Sequence, residues 1–66
     1  MTEKGFAENL KELRKNKKET QQQLANAIGI SRSTISKWEN NYREADYKTL
    51  KAIALHYHIT IDQLLA

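Results

Sequence analysis

The sequence predicts an all-α fold in which five short helices share one small hydrophobic core. Apolar residues recur three, four and seven positions apart, which is the spacing of an amphipathic helix. A residue able to cap a helix precedes four of these segments. The chain has 66 residues and no proline, which favours a single compact domain over residues 3–65.

The first predicted helix runs from about Glu3 or Phe6 to Asn16. Phe6, Leu10 and Leu13 are four and then three residues apart, so they fall on one face of this helix. That face is expected to point into the core. The sequence therefore predicts a helix of about three turns before the first loop.

The second predicted helix starts at Thr20 and ends near Ile28. Thr20 and Gln23 are spaced as a capping box, in which each side chain accepts a hydrogen bond from the other residue's backbone N–H. Leu24 and Ile28 lie four residues apart on the inward face, with Ala25 beside them. A small side chain at that point lets another helix approach closely.

A tight turn and a third helix follow. Gly29 can take the positive φ that ends a helix, and Ser31 can cap the next one. The third helix spans Arg32 to about Asn40, with Ile35 and Trp38 facing back onto the second helix. Two short amphipathic helices joined in this way have the geometry of a helix-turn-helix.

The fourth predicted helix begins after Asp46, which acts as its N-cap. Its apolar residues lie at helical spacing: Leu50, Ile53, Ala54 and Tyr57. A second capping box, Thr60 with Gln63, opens a short fifth helix. That helix is expected to bring Ile61 and Leu64 into the core.

These positions carry a family resemblance over almost the whole chain. Within the motif the matching residues are Leu24, Ala25, Ile28, Gly29, Ile30, Ile35, Trp38, Glu39 and Asn40. Outside it they are Phe6, Leu10, Leu13, Arg14, Leu50, Ile53, Ala54, Ile59, Thr60, Asp62, Leu64 and Leu65. The chain resembles the phage-repressor (Cro/C1, also called Xre-like) helix-turn-helix family. The resemblance implies a compact five-helix repressor-like DNA-binding domain, with helices 2 and 3 as the helix-turn-helix.

The function implied by this resemblance is sequence-specific binding of double-stranded DNA and regulation of transcription by repression. Helix 3, from Arg32 to Asn40, is expected to enter the major groove while helix 2 crosses the backbone. The family's base-reading positions, with one neighbour, correspond to Arg32, Ser33, Ser36 and Lys37. The family often has Gln at the position of Arg32, braced by the residue that is Gln21 here, whereas Arg suits guanine. For Lys37, contact with phosphate alone remains an equal alternative.

The phosphate contacts implied by the resemblance are Thr20, Gln21, Ser31, Asn41, Tyr42 and Arg43. Helix N-termini present free N–H groups and partial positive charge to a phosphate, so this role can coexist with capping by Thr20 and Ser31. Arg14 and Glu39 match a pair that in the family bridges helix 1 to helix 3. We expect that bridge to be structural.

Composition narrows the classes of function. Eleven Lys and Arg against eight Asp and Glu give a net charge of +3, which agrees with nucleic-acid binding without establishing it. Cysteine is absent, and His56 and His58 point to different sides of a helix, so we expect no metal and no cofactor.

A core this small leaves no room for a substrate pocket, so the chain is predicted not to be an enzyme and to bind no small molecule. No apolar stretch has the length of a signal peptide or membrane span, which predicts a cytoplasmic protein without membrane contact.

One module of this size buries little surface on DNA, so we expect a homodimer on two half-sites. Leu55, Ile61 and Leu65 are the candidates for the dimer interface. The alternative is a protein-interaction module, such as an antitoxin or the partner of another regulator. Arg32 and Lys37 on the outward face of helix 3 favour DNA over that alternative.

The loops depart from the family pattern. Gly and an apolar residue are usual at Lys18 and Glu19, and Gly is usual at Asn41 and His58. Glu19 cannot make the apolar contact with Leu24 that fixes the chain's entry into helix 2. We therefore expect the fold to persist with less rigid loops.

Overall fold

The computed structural model describes residues 5–40 and 45–66, and that part of the chain contains five α-helices and no strand. The helices are α1 (Gly5–Asn16), α2 (Gln21–Ile28), α3 (Arg32–Glu39), α4 (Tyr47–His56) and α5 (Ile61–Leu65). The all-α prediction is confirmed. The helix starts agree with the predicted ones to within a residue, except that the alternative start at Glu3 lies outside the described residues.

Each helix supplies one large side chain that is completely buried. These side chains are Leu10, Leu24, Ile35, Ile53 and Leu64, in the order α1 to α5. Burying one such side chain stabilises the folded state by about 1.5–3 kcal/mol. Because all five side chains belong to one cluster, every helix is stabilised by the same core. Ala25 is also fully buried between α2 and its neighbours, and the Phe6 ring meets Trp38 edge-on with centroids 5.9 Å apart.

Side-chain caps begin four of the helices. Thr20 Oγ1 accepts the Gln23 N–H at 3.0 Å while Gln23 Oε1 accepts the Thr20 N–H at 2.8 Å, which is the predicted capping box. Thr60 and Gln63 form the second box at the start of α5. Single caps begin the other two helices: Ser31 accepts from Thr34 N–H, and Asp46 accepts from Thr49 N–H.

Three helix ends use a residue with positive φ. Gly29 ends α2 with φ 74°, as predicted. Lys18 and His58 take the same conformation, with φ of 56° and 57°, although neither is glycine. The residue after each then donates back into the helix: Glu19 N–H to Arg14 O and Ile59 N–H to Ala54 O, both at 2.9 Å. The helix-ending hydrogen bonds therefore form at these two positions without glycine, while the expectation of looser loops stays a prediction.

The short helix α5 is fastened to α1 by a side chain. Asn9 Nδ2 donates to the backbone oxygens of Leu64 and Ala66, at 2.8 and 2.9 Å. These bonds satisfy carbonyl groups that a helix C-terminus leaves unpaired. None of the helices described is long and apolar enough to cross a bilayer.

Candidate nucleic-acid interface

The turn between α2 and α3 fixes the angle at which α3 is presented. Gly29 takes the left-handed conformation, and Ile30 N–H donates to Ala25 O at 3.0 Å. Ile35 and Trp38 on the inner side of α3 are buried in the core. The opposite side of α3 is therefore held toward solvent as a rigid face.

That outward face carries most of the predicted base-reading residues. Arg32, Ser33 and Lys37 are exposed, and Ser36 is half-buried. Asn40 Nδ2 donates to Ser36 O at 2.9 Å and lies 3.4 Å from Ser36 Oγ. Ser36 is thus less available to a ligand than the other three, a difference that sequence spacing alone does not reveal.

Three of the six predicted phosphate contacts, Thr20, Gln21 and Ser31, lie at the starts of α2 and α3. Thr20 and Ser31 are exposed and both act as N-caps, and Gln21 is half-buried. The N–H groups of a first helical turn have no intrahelical partner, so they can face an anion. Asn41, Tyr42 and Arg43 lie outside the described residues.

An open, mostly cationic cleft adjoins the start of α2. It is lined by Arg14, Lys15, Lys18, Glu19, Thr20, Gln21, Gln22 and Arg32. Lys15, Lys18 and Arg32 are exposed, whereas Arg14 is neutralised by a carboxylate. Three exposed cations against Glu19 give the cleft the charge that complements a phosphate backbone.

An ion pair joins α1 to α3 beneath this surface. Arg14 Nε donates to Glu39 Oε2 at 2.7 Å, and Arg14 Nη2 donates to Glu39 Oε1 at 3.0 Å. The side chains are 13% and 2% exposed, so the pair is largely shielded from water. The hydrogen bond to Glu39 raises the pKa of Arg14 against the opposing effect of burial. The two-point contact fixes the orientation of α3 against α1.

Gln21 connects the ion pair to the outward face. Its Nε2 donates to Glu39 Oε1 at 3.2 Å, and its Oε1 accepts from Arg32 Nη1 at 3.4 Å. A continuous set of hydrogen bonds therefore runs from a buried carboxylate to the first residue of α3.

Glu19 makes contacts that the sequence did not predict. Its carboxylate accepts the Tyr57 hydroxyl at 2.6 Å and lies 2.7 Å from His56 Nε2. Arg14 Nη1 also donates to Glu19 O at 2.8 Å. His56 and Tyr57 are 37 and 38 residues away from Glu19, so no local pattern marks them. These bonds fasten the loop before α2 to the end of α4.

We predict that the Glu19 contacts make stability depend on acid pH. Burial raises the pKa of Glu19, but the bonds from Tyr57 and His56 lower it by more, so it lies below the usual 4.5. The stabilisation is therefore present above pH 4.5 and lost as the pH falls through the lower folded-state pKa. Urea unfolding of the parent and Tyr57→Phe across this range measures it. Their difference in unfolding free energy should shrink with acid, whereas the exposed Tyr47→Phe should track the parent; a constant difference for Tyr57→Phe contradicts the assignment.

All three predicted dimer residues are described by the structure, and one of them lines an apolar groove. Leu65 is 42% exposed and lines an apolar groove with Phe6, Ala45 and Leu50. Leu55 is 66% exposed on α4 but does not line that groove, and Ile61 is half-buried. Among the predicted residues, Leu65 is the one that combines exposure with an adjoining apolar groove.

Comparison with known proteins assigns the family. A helix-turn-helix family model matches residues 10–64, and the chain belongs to this Xre/Cro-like family. Over 60 residues the chain is 47% identical to YqaE of Bacillus subtilis, an uncharacterized helix-turn-helix-type transcriptional regulator. That match covers 91% of this chain and 52% of YqaE, so the chain spans about half the length of this relative.

Solved structures of similar fold include a repressor and an enzyme. The DNA-binding domain of the P22 c2 repressor is 28% identical, with a TM-score of 0.88 over 97% of this chain and 84% of that one. Hydroxypropylphosphonic acid epoxidase from S. wedmorenis is 33% identical, with a TM-score of 0.85 over 94% of this chain and 33% of the enzyme. Because the same fold occurs in both, functional assignment depends on the residues of the surface.

Proposed function

We propose that this protein binds double-stranded DNA in a sequence-specific manner and thereby regulates transcription. The observation that carries the proposal is the outward face of α3, where Arg32, Ser33 and Lys37 stand exposed on a rigidly packed helix. Such a helix fits a major groove about 12 Å wide, where base edges can be distinguished. Repression, by occluding promoter DNA, stays a prediction.

The cationic cleft beside α2 supports the same orientation. With α3 in the groove, the start of α2 lies across the phosphate backbone, as in helix-turn-helix complexes. Thr20 and Gln21 at that start, together with Lys15 and Lys18, then face phosphates. These contacts supply affinity and fix the register, whereas the α3 side chains supply specificity.

The rival functions receive less support from the surface. A protein-interaction module would present an acidic or apolar outward face on α3, whereas this face carries Arg32 and Lys37. We also propose a binding role rather than catalysis, and cytoplasmic action, because DNA is the partner that the surface fits. In the epoxidase the matched region is one third of the chain, so the likeness there does not imply enzyme activity here.

Salt dependence tests the phosphate contacts. Each phosphate neutralised should contribute about 0.9 to the slope of log affinity against log salt. We expect a slope magnitude of several units for a mixed-sequence duplex, measured by fluorescence anisotropy. Lys15→Ala and Lys18→Ala should each reduce it by about one unit, whereas Asp62→Ala on α5, which does not line the cleft, should not. A flat plot, or no duplex binding at low salt, favours the protein-interaction module.

We further propose that the protein binds DNA as a homodimer through the groove that holds Leu65. A second copy would cover the apolar surface formed with Phe6, Ala45 and Leu50. Two linked modules also supply the contact area that one small domain lacks.

Leu65→Glu is therefore expected to weaken self-association by placing a charge in an apolar interface. Sedimentation of free and DNA-bound protein measures the effect, and circular dichroism checks that the monomer remains folded. Leu55→Glu is the comparison, because Leu55 is equally apolar but lies off the groove. An unchanged dimer in Leu65→Glu, or a DNA-bound parent that is monomeric, defeats the dimer proposal.

A further inference from the structure

We infer that Glu39 is a positioning residue for base recognition: from its buried site it holds Gln21, and through Gln21 it sets the direction of Arg32. The inference rests on the proposed function. It assigns the Arg14–Glu39 pair a role in specificity, beyond its role in joining α1 to α3. The observation behind it is the unbroken set of hydrogen bonds from the core to the first residue of α3.

Glu39 accepts more hydrogen bonds than the ion pair with Arg14 requires. Arg14 supplies two, at 2.7 and 3.0 Å, and these suffice to pair the charges. Gln21 Nε2 supplies a third, at 3.2 Å, to the Oε1 that also accepts Arg14 Nη2. Because Glu39 is 2% exposed, this third bond draws the half-buried Gln21 amide inward rather than leaving it to water.

The chemistry of the three groups permits one orientation of the Gln21 amide. An ionised carboxylate only accepts hydrogen bonds, and a guanidinium only donates them. The Gln21 NH2 must therefore face Glu39, and its oxygen must face Arg32. A reversed amide would place its oxygen against a carboxylate oxygen and its NH2 against the guanidinium.

The contact biases Arg32 without using up its donors. Arg32 Nη1 carries two hydrogens, of which one reaches Gln21 Oε1 at 3.4 Å. The other hydrogen and those of Nη2 remain for the two acceptors of guanine. Because this contact is long and lies at the exposed surface, its effect is modest. We expect loss of the contact to reduce the preference for guanine by roughly threefold to tenfold.

Two substitutions interrupt the hydrogen bonds from Glu39 through Gln21 to Arg32, each at a different residue. Gln21→Met keeps the length of the side chain and removes both hydrogen bonds while leaving the ion pair intact. Glu39→Gln gives the buried site an NH2 that must face a donor of Arg14 or of Gln21. Asn26→Leu is the control, because Asn26 is exposed on the same helix, does not line the cationic cleft and bonds to Gln22 instead.

The experiment measures binding of variants of the 66-residue chain to a preferred duplex and to duplexes that differ at single base pairs. The parent should discriminate guanine at one position, and both Gln21→Met and Glu39→Gln should lower that ratio. Repeating both changes in an Arg32→Ala background should leave the ratio unaltered, because the group they position is gone. Melting curves check the folding of Glu39→Gln; if it is unfolded, the double variant Arg14→Met, Glu39→Leu replaces it, because it removes the Glu39 acceptor without leaving a buried charge and should lower the ratio as Gln21→Met does.

A purely structural or phosphate-binding role gives a different result. If both variants lose affinity equally for every duplex and retain the parent's ratio, the inference is overturned while the proposed function stands. If Asn26→Leu changes the ratio as much as Gln21→Met, the hydrogen bonds of Gln21 are not its cause. A parent that binds no duplex in preference to another removes the proposed function and the inference together.

Discussion

Arg14→Ala should lower the free energy of unfolding by about 3–5 kcal/mol, because it strands the Glu39 carboxylate without its charge partner. Glu39 is 2% exposed, so water cannot replace the lost donors. The same change removes the bond from Arg14 Nη1 to Glu19 O, which holds the loop before α2. For a domain of 66 residues, a loss of this size is comparable to its whole stability.

Urea unfolding followed by circular dichroism measures this loss. Arg32→Ala is the matched control, since it removes an exposed arginine and should change stability by less than about 0.5 kcal/mol. The double variant Arg14→Met, Glu39→Leu should recover most of the lost stability, because two apolar side chains leave no buried charge. If Arg14→Ala is as stable as the parent, the buried Glu39 carboxylate does not need Arg14 as its charge partner.

Local signals explain why the helices were predictable. Each cap is a side chain bonded three residues along, as in Thr20 with Gln23 and Asp46 with Thr49. The inward residues follow the helical period, so Leu10 and Ile53 could be placed in a core before their partners were known. The family resemblance then fixed how the helices pack, which periodicity alone does not determine.

The contacts of Glu19 and Ser36 could not be predicted in the same way. Glu19 was recognised as a departure from an apolar position, but its partners lie on α4 and come close only after folding. Ser36 has the spacing of an outward residue, yet Asn40 folds back over it. In both cases the outcome depends on hydrogen bonds between side chains whose directions are set by packing, not by sequence spacing.

The left-handed conformations of Lys18 and His58 show a related limit. Glycine takes a positive φ without steric cost, so its absence at these positions predicts looser loops. Lys18 and His58 nevertheless take this conformation, which costs about 1–2 kcal/mol at each residue. Packing of Tyr57 and Ile59 against the core offsets that cost beside His58, and the hydrogen bonds of Glu19 offset it beside Lys18.

Arg32→Ala should weaken binding to the preferred duplex by roughly 1–3 kcal/mol and remove the preference at one base pair. Arg32 is exposed at the start of α3, and its planar fork matches O6 and N7 of guanine. Arg32→Gln should shift the preference toward adenine, whose N6 and N7 suit an amide. Lys37→Ala is the comparison, because a phosphate contact there would weaken binding to all duplexes alike.

The most direct measurement is the affinity of the parent and Arg32→Ala for a duplex selected from a random pool and for its single-base variants. Sequence-specific binding through α3 predicts that the parent discriminates at several positions and that Arg32→Ala loses discrimination at one guanine, with the other positions unchanged. If Arg32→Ala instead loses affinity equally for every duplex, Arg32 anchors a phosphate and does not read a base. If selection enriches no sequence at all, α3 does not read DNA.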